Sequence, residues 1–256
     1  MLEVKNLSVS FSAVKAVDNV SFSLDKGKTL GILGESGSGK STVAHSILRL
    51  IDAPGEIVGG EIIFNGQDLL KLSEKEMIHV RGAKIAMIFQ DPFASLNPVL
   101  TIGEQIAEAI VLHQGLNKRD AKQKSIEMLS LVKIRDPEKR INNFPHQFSG
   151  GMRQRVMIAM ALSCQPEILI ADEPTTALDV TIQAEILKLL KELQTKLGFG
   201  IVYITHNFGI IKHICDQVIV MHNGKKVEEG LTAEILRNPK DAYTRRLINC
   251  LSELRT

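Results

Sequence analysis

A chain of 256 residues can hold one large α/β domain or a core with an inserted subdomain, and 44% apolar against 23% charged residues is ordinary for a globular protein. A formal net charge of +2 and a pI near 8.4 are too mild to argue for a nucleic-acid partner. No apolar run approaches the roughly 20 residues that span a bilayer, the start Met-Leu-Glu-Val-Lys lacks the shape of a signal peptide, and Cys164, Cys215 and Cys250 offer neither a disulfide framework nor metal-ligand spacing. The expected location is the cytoplasm.

In chain order, Val4 to Phe11 and Val17 to Leu24 alternate or run apolar and read as strands, with Asp25-Lys-Gly27 as a turn. Thr29 to Leu33 is a short apolar run suited to a buried strand. Gly34, Glu35, Ser36, Gly37, Ser38, Gly39, Lys40, Ser41 and Thr42 then fit the pattern G-x-x-x-x-G-K-[ST] in full. The glycines let the backbone curl so that successive N–H groups face phosphate oxygens. Lys40 supplies a compact cation for the β- and γ-phosphates, and the Ser41 hydroxyl can ligate Mg²⁺. Ser41 to Leu50 carries Val43, Ile47 and Leu50 on one side of a helix, whose dipole favours an anion at its N-terminus. Strand, glycine loop and helix in this order mark a nucleoside triphosphate site.

Gly59 to Asp68 contains Asn65-Gly66, a strong hairpin signal, and Lys84 to Phe89 reads as the next buried strand. Between Asp91 and about Gln165 the pattern turns helical. Ile102, Ile106 and Ile110 share one face, as do Ile126, Leu129 and Val132, while Pro92, Pro98, Pro137 and Pro145 punctuate the stretch. This predicts a helical subdomain over 91–165, inserted into a core of 1–90 and 166–256 within a single domain. Strands at Ile168 to Ala171, Ile201 to Thr205 and Gln217 to Met221, with a helix from Ile182 to Leu197 stopped at Gly198, restore the alternation. The pattern argues for an α/β fold with a mostly parallel sheet flanked by helices.

Two further segments carry chemistry. Ile168-Leu-Ile-Ala-Asp-Glu173 ends a hydrophobic strand in adjacent carboxylates whose side chains point differently. Asp172 is suited to hold Mg²⁺ through water, and Glu173 to polarise an attacking water. In Gln147-Phe-Ser-Gly-Gly-Met-Arg-Gln-Arg155, Ser149 is a good helix N-cap and Gly150 and Gly151 expose N–H groups at the start of the helix carrying Met152 to Leu162. That is a second anion-binding helix terminus.

Taken together these segments resemble the ATP-binding-cassette ATPases over essentially the whole chain. The Gly34–Thr42 loop is similar to the Walker A motif, Ile168–Glu173 to Walker B, and Phe148–Met152 to the signature motif. Gln90 resembles the Q-loop glutamine, Thr176-Ala-Leu-Asp179 the D-loop, His206 the switch histidine, and Phe11 the aromatic that stacks on adenine. The resemblance implies a P-loop NTPase core with an N-terminal antiparallel β subdomain and a helical subdomain bearing the signature. It implies ATP and Mg²⁺ as cofactors, with Ser41, Gln90 and Asp172 on the metal and Glu173 as general base. Lys40, Gln90 and His206 would position phosphate and metal. In this family two subunits pair head to tail, so that Ser149, Gly150, Gly151 and Met152 of one meet ATP on the other.

Phe148–Ala161, Ala171–Thr181 and Asp91–Pro98 are similar to bacterial importers of oligopeptides, dipeptides and nickel. That likeness implies a second, non-identical ATPase, two permeases, an external binding protein and a peripheral position on the cytoplasmic face of the membrane. Phe148 and Met152 depart from the leucine and glutamine common in the signature, and a thioether cannot make a glutamine's hydrogen bonds. Asp241 and Ala242 replace the usual His-Pro. On length alone the expectation leans to nickel or a metal chelate over peptide. A soluble cassette in DNA repair or translation is the alternative of another class, while a small P-loop kinase leaves the Ser149 segment and His206 unexplained.

Overall fold

The computed structural model describes residues 1–91, 95–176 and 178–253, with side chains through residue 249. Pro92, Phe93 and Ala94 of the Asp91–Pro98 stretch, Ala177 of the Thr176–Asp179 stretch and the Cys250 side chain therefore lie outside the described residues. The chain divides into two compact units, Met1–Met77 with Gly200–Thr256, and Ile78–Phe199.

In the first unit, β1 (Leu2–Phe11), β2 (Val14–Leu24), β4 (Gly55–Phe64) and β5 (Gln67–Asp68) form an antiparallel sheet in the order β2-β1-β4-β5. Alternation buries Leu2, Val4, Leu7 and Val9 on β1. The phase slips between Val4 and Leu7, where Asn6 takes φ 50° and its N–H donates to Ser21 Oγ at 2.7 Å. The Asn65-Gly66 hairpin forms as the sequence predicts, with both residues at positive φ (49° and 85°) between the paired Phe64 and Gln67. Nothing in the alternation announces the slip, because a bulge is decided by the neighbouring strand.

The unit's other sheet places β3 (Thr29–Leu33) between β8 (Gly200–Thr205) and β9 (Gln217–His222), parallel to both. Its edge strand β10 (Lys225–Leu231) is antiparallel to β9. Every residue of β3 and β8 is buried, as expected of parallel strands covered on both faces. Helix α1 (Lys40–Ile47) ends earlier than the expected Leu50, because Arg49 adopts a left-handed φ of 52° and its guanidinium donates to the Leu69 and Leu72 carbonyls. Helices α8 (Phe208–Ile214), α9 (Thr232–Arg237) and α10 (Ala242–Glu253) complete this unit, and α2 (Glu74–Val80) straddles the division.

The second unit pairs β6 (Ile85–Ile88) with β7 (Ile168–Asp172) in parallel and carries α3 (Ile102–Gln114), α4 (Lys118–Leu131), α5 (Pro137–Arg140), α6 (Gly150–Leu162) and α7 (Val180–Leu197). Thr101 and Glu104 close a capping box at the start of α3, and Gly115 ends it at φ 66°. Ile102, Ile106 and Ile110 are fully buried on one face, each contributing about 1.5–3 kcal/mol. Leu129 and Val132 are likewise buried, with Ile126 half-exposed. The helical stretch read as 91–165 falls inside this unit, beside β6 and β7. The fold is α/β, with an antiparallel β layer and a largely parallel core.

Candidate functional site

Both chemical regions grow from the carboxyl ends of paired parallel strands, where open α/β sheets bind ligands. In the first unit Leu33 pairs with Thr205 and with Val220. Gly34, His206 and Met221 therefore lie side by side at this end of the sheet, with Met221 still within β9. A Cβ on Gly34 would lie 2.3 Å from the Met221 carbonyl oxygen, so no larger residue fits unless β9 moves. Gly39 caps α1 at φ 97°, and a Cβ there would sit 2.5 Å from the Ala16 carbonyl. The loop is held by main chain: the Ser38 N–H donates to the Glu35 carbonyl and the Gly224 N–H to the Ser38 carbonyl, both at 3.2 Å.

Lys40 is only 5% exposed, and its Nζ donates to the Glu35 carbonyl at 2.8 Å. The Ser38 hydroxyl is buried without a hydrogen-bond partner. A buried, unpartnered hydroxyl and a folded-back ammonium at the start of a helix fit a phosphate group. Glu35, Ser36 and Gly37 are exposed, Ser41 and Thr42 half-buried, and His206 exposed directly after β8. Phe11 is half-buried and pairs with Gly55; its ring covers that glycine so closely that a Cβ at 55 would lie 2.5 Å from it.

In the second unit Ile88 pairs with Ala171, which brings Gln90 and Glu173 out at one end of the strand pair. Gln90 Nε2 donates to Glu173 Oε2 at 3.4 Å, and Thr176 Oγ1 donates to the same oxygen at 2.9 Å. Asp172 ends β7 and is 4% exposed, whereas Glu173 is half-buried. Glu173 also takes φ 44° immediately before Pro174. A side chain with Cβ disfavours that region and a following proline favours extended backbone. Such a conformation costs on the order of 1–3 kcal/mol and is a mark of functional turns.

The Ser149 Oγ accepts the Met152 N–H at 3.4 Å and caps α6, as the sequence predicts. Asp179 caps α7 in the same way, accepting the Ile182 N–H at 2.9 Å. Gly150 borders Leu178, and a Cβ on Gly151 would lie 2.6 Å from Ile182 Cγ2. Gly151 is thus a packing glycine, tying α6 to α7. Sequence reasoning missed this contact and the Thr176 donor. A hydroxyl three residues beyond a turn carboxylate was the available signal for the second.

These features define a phosphate-loop nucleotide-binding protein of the α/β class. The family model described as ABC transporter matches residues 17–176. The oligopeptide transport ATP-binding protein OppD of Bacillus subtilis (strain 168) is 54% identical over 95% of this chain and 70% of its own length. The dipeptide transport ATP-binding protein DppD of Escherichia coli (strain K12) is 50% identical over 99% of this chain and 79% of its own. Among solved structures, the dimeric post-hydrolysis state of the ATP-binding cassette MJ0796 bound to ADP and Pi superposes with a TM-score of 0.79 at 29% identity, covering 91% of this chain and 99% of that one. The chain belongs to the ABC transporter family. It is an ATPase of that family.

Proposed function

We propose that this chain is the ATP-hydrolysing subunit of a bacterial importer of oligopeptides or dipeptides, seated at the cytoplasmic face of the membrane. The observation that carries this reading is identity of 50% or more, over nearly the whole chain, to ATP-binding proteins named for oligopeptide and dipeptide transport. Among the described residues no helix is long and apolar enough to cross a membrane, which suits a peripheral subunit working with separate permeases. Length alone points to nickel or a metal chelate, and the names of these relatives give that expectation no support.

The nucleotide reading assigns each unit its own task. Lys40 and the N–H groups of Gly37 to Thr42 bind phosphate, and Phe11 offers a face for adenine. Mg²⁺, when bound, neutralises charge developing on the transferred phosphoryl group, and Ser41, Gln90 and Asp172 are its proposed ligands. Glu173 takes the proton of the attacking water, with Gln90 and Thr176 fixing its carboxylate. His206 is assigned to the γ-phosphate. Ser149, Gly150, Gly151 and Met152 face the nucleotide of a second, non-identical cassette, with Asp179 at the same junction. Met152 then supplies packing but no amide hydrogen bond, which makes the two ATP sites of such a pair unequal.

A groove of about 700 Å³ in the second unit is lined by Ala107, Val111, Leu112 and Ile141 together with Glu108 and Lys122. Val111 and Leu112 are exposed there, a suitable seat for an apolar helix of a permease. Growth tests the cargo. A deletion strain should lose growth on peptides that supply a required amino acid, regain it with this chain, and keep nickel-dependent growth throughout. Loss of growth on scarce nickel with peptide use intact would overturn the peptide reading.

A further inference from the structure

The C-terminal helix α10 reaches the phosphate loop. Asp241 begins it: its carboxylate accepts the N–H groups of Tyr243 at 2.8 Å and Thr244 at 3.4 Å. The residue itself is anchored from β10, because the Glu228 carboxylate accepts the Lys240 and Asp241 N–H groups at 2.7 and 3.2 Å. Asp241 thus does at this position what a cap must do, in place of the histidine the family resemblance leads one to expect. The helix start is fixed, and with it Tyr243.

Tyr243 is 8% exposed, and its ring stacks on His222 of β9 with centroids 3.9 Å apart and planes 29° from parallel. Its hydroxyl oxygen accepts the Glu35 N–H at 3.2 Å. Arg246, one turn along, lies over the Tyr243 ring at 5.4 Å and brings Nη2 within 3.7 Å of Glu35 Oε1. That ion pair is largely exposed and weak by itself. Burial pushes the Tyr243 hydroxyl above its ordinary pKa, so the group that accepts the Glu35 N–H is the neutral phenol.

Glu35 is the residue whose carbonyl receives Lys40 Nζ at 2.8 Å and the Ser38 N–H at 3.2 Å. One amino acid is thus gripped on both sides, by Tyr243 at its N–H and by Lys40 and Ser38 at its carbonyl. The geometry points to Tyr243 as a positioning residue for the phosphate loop, acting through Glu35 to set where Lys40 and the Ser38 turn stand when ATP binds. Neither the phosphate pattern nor any residue assigned above includes it. The inference rests on the reading of this loop as the ATP site. It adds a consequence: α10 and the nucleotide are coupled, because whatever orders the loop also orders its brace, and such coupling is reciprocal.

Tyr243→Phe keeps the ring and its stack and deletes only the acceptor. Loss of one hydrogen bond of this kind should weaken Mg-ATP binding by about 2- to 10-fold in isothermal titration and raise KM alike. The turnover number should stay within about 2-fold, since Glu173 is untouched. His222→Ala, which loosens the ring but keeps the hydroxyl, should give the smaller change of the two. In the unsubstituted chain, Mg-ATP should slow hydrogen exchange at residues 242–249 as well as at 34–42, and in Tyr243→Phe only the second effect should remain. Tyr243→Phe with unaltered Mg-ATP affinity, or exchange at 242–249 indifferent to ATP in the unsubstituted chain, overturns the inference. Failure of the unsubstituted chain to bind Mg-ATP at all would instead overturn the nucleotide reading beneath it.

Discussion

The phosphate loop after β3 and the turn after β7 are both strand ends bearing charged chemistry, yet their surroundings hold them in opposite ways. Around Gly34 to Lys40 most contacts are main chain: the Met221 and Ala16 carbonyls crowd the glycines, and the Ser38, Glu35 and Gly224 peptides bond one another, with the Lys40 ammonium and the Tyr243 hydroxyl added at Glu35. The Glu173 carboxylate instead takes side-chain donors, Thr176 at 2.9 Å and Gln90 at 3.4 Å, on a residue whose own φ is unfavourable. Backbone contacts do not depend on which side chains are present, so the loop is a stiff cradle suited to uniform binding. A carboxylate held by side chains on a strained turn can shift with its partners, which suits a group needed only in the transition state.

Three substitutions test this contrast. Glu173→Gln should leave Mg-ATP affinity near that of the unsubstituted chain while turnover falls by roughly 10²–10⁴-fold, the scale of general acid–base catalysis. Steady-state kinetics beside direct nucleotide titration checks it, and near-normal turnover would move the base to His206. Lys40→Ala should act on binding instead, weakening Mg-ATP by roughly 10- to 100-fold through loss of charge-assisted hydrogen bonds. If Lys40→Ala altered rate and spared affinity, the cradle would not be the binding half. Thr176→Val removes the closer donor to Glu173; turnover should drop by about 2- to 10-fold with titrated affinity unchanged.

The smallest effect is read in the stability of the chain by itself. Gly151→Ala forces a methyl toward Ile182 Cγ2, 2.6 Å away. Overpacking of about 1–3 kcal/mol outweighs the roughly 1 kcal/mol that alanine adds to helix propensity. Denaturant melts should show a net loss of about 1 kcal/mol that vanishes in an Ile182→Ala background. A loss that persists there would mean that Gly151 is needed for its own backbone and not for the α6–α7 contact.

Most strands of the core, the longer helices through Leu197 and the phosphate loop were legible in the sequence because each rests on local physics, whereas β10, α9 and α10 were not read from it. Period-two burial in β1 and β2, the Asn65-Gly66 turn, the Ser149 cap and the glycine pattern before Lys40 all act within a few residues. The same locality identified Asp172 and Glu173 as strand-end carboxylates without revealing what they touch. Only the tertiary structure decided that Gln90 and Glu173 share a hydrogen bond across 83 positions, that Gly151 must be small for Ile182, and that Tyr243 closes on Glu35 across 208. Strand pairing and helix packing are set by global burial, in which a residue's partner is chosen by what the whole fold brings near, and no short window of sequence contains that choice.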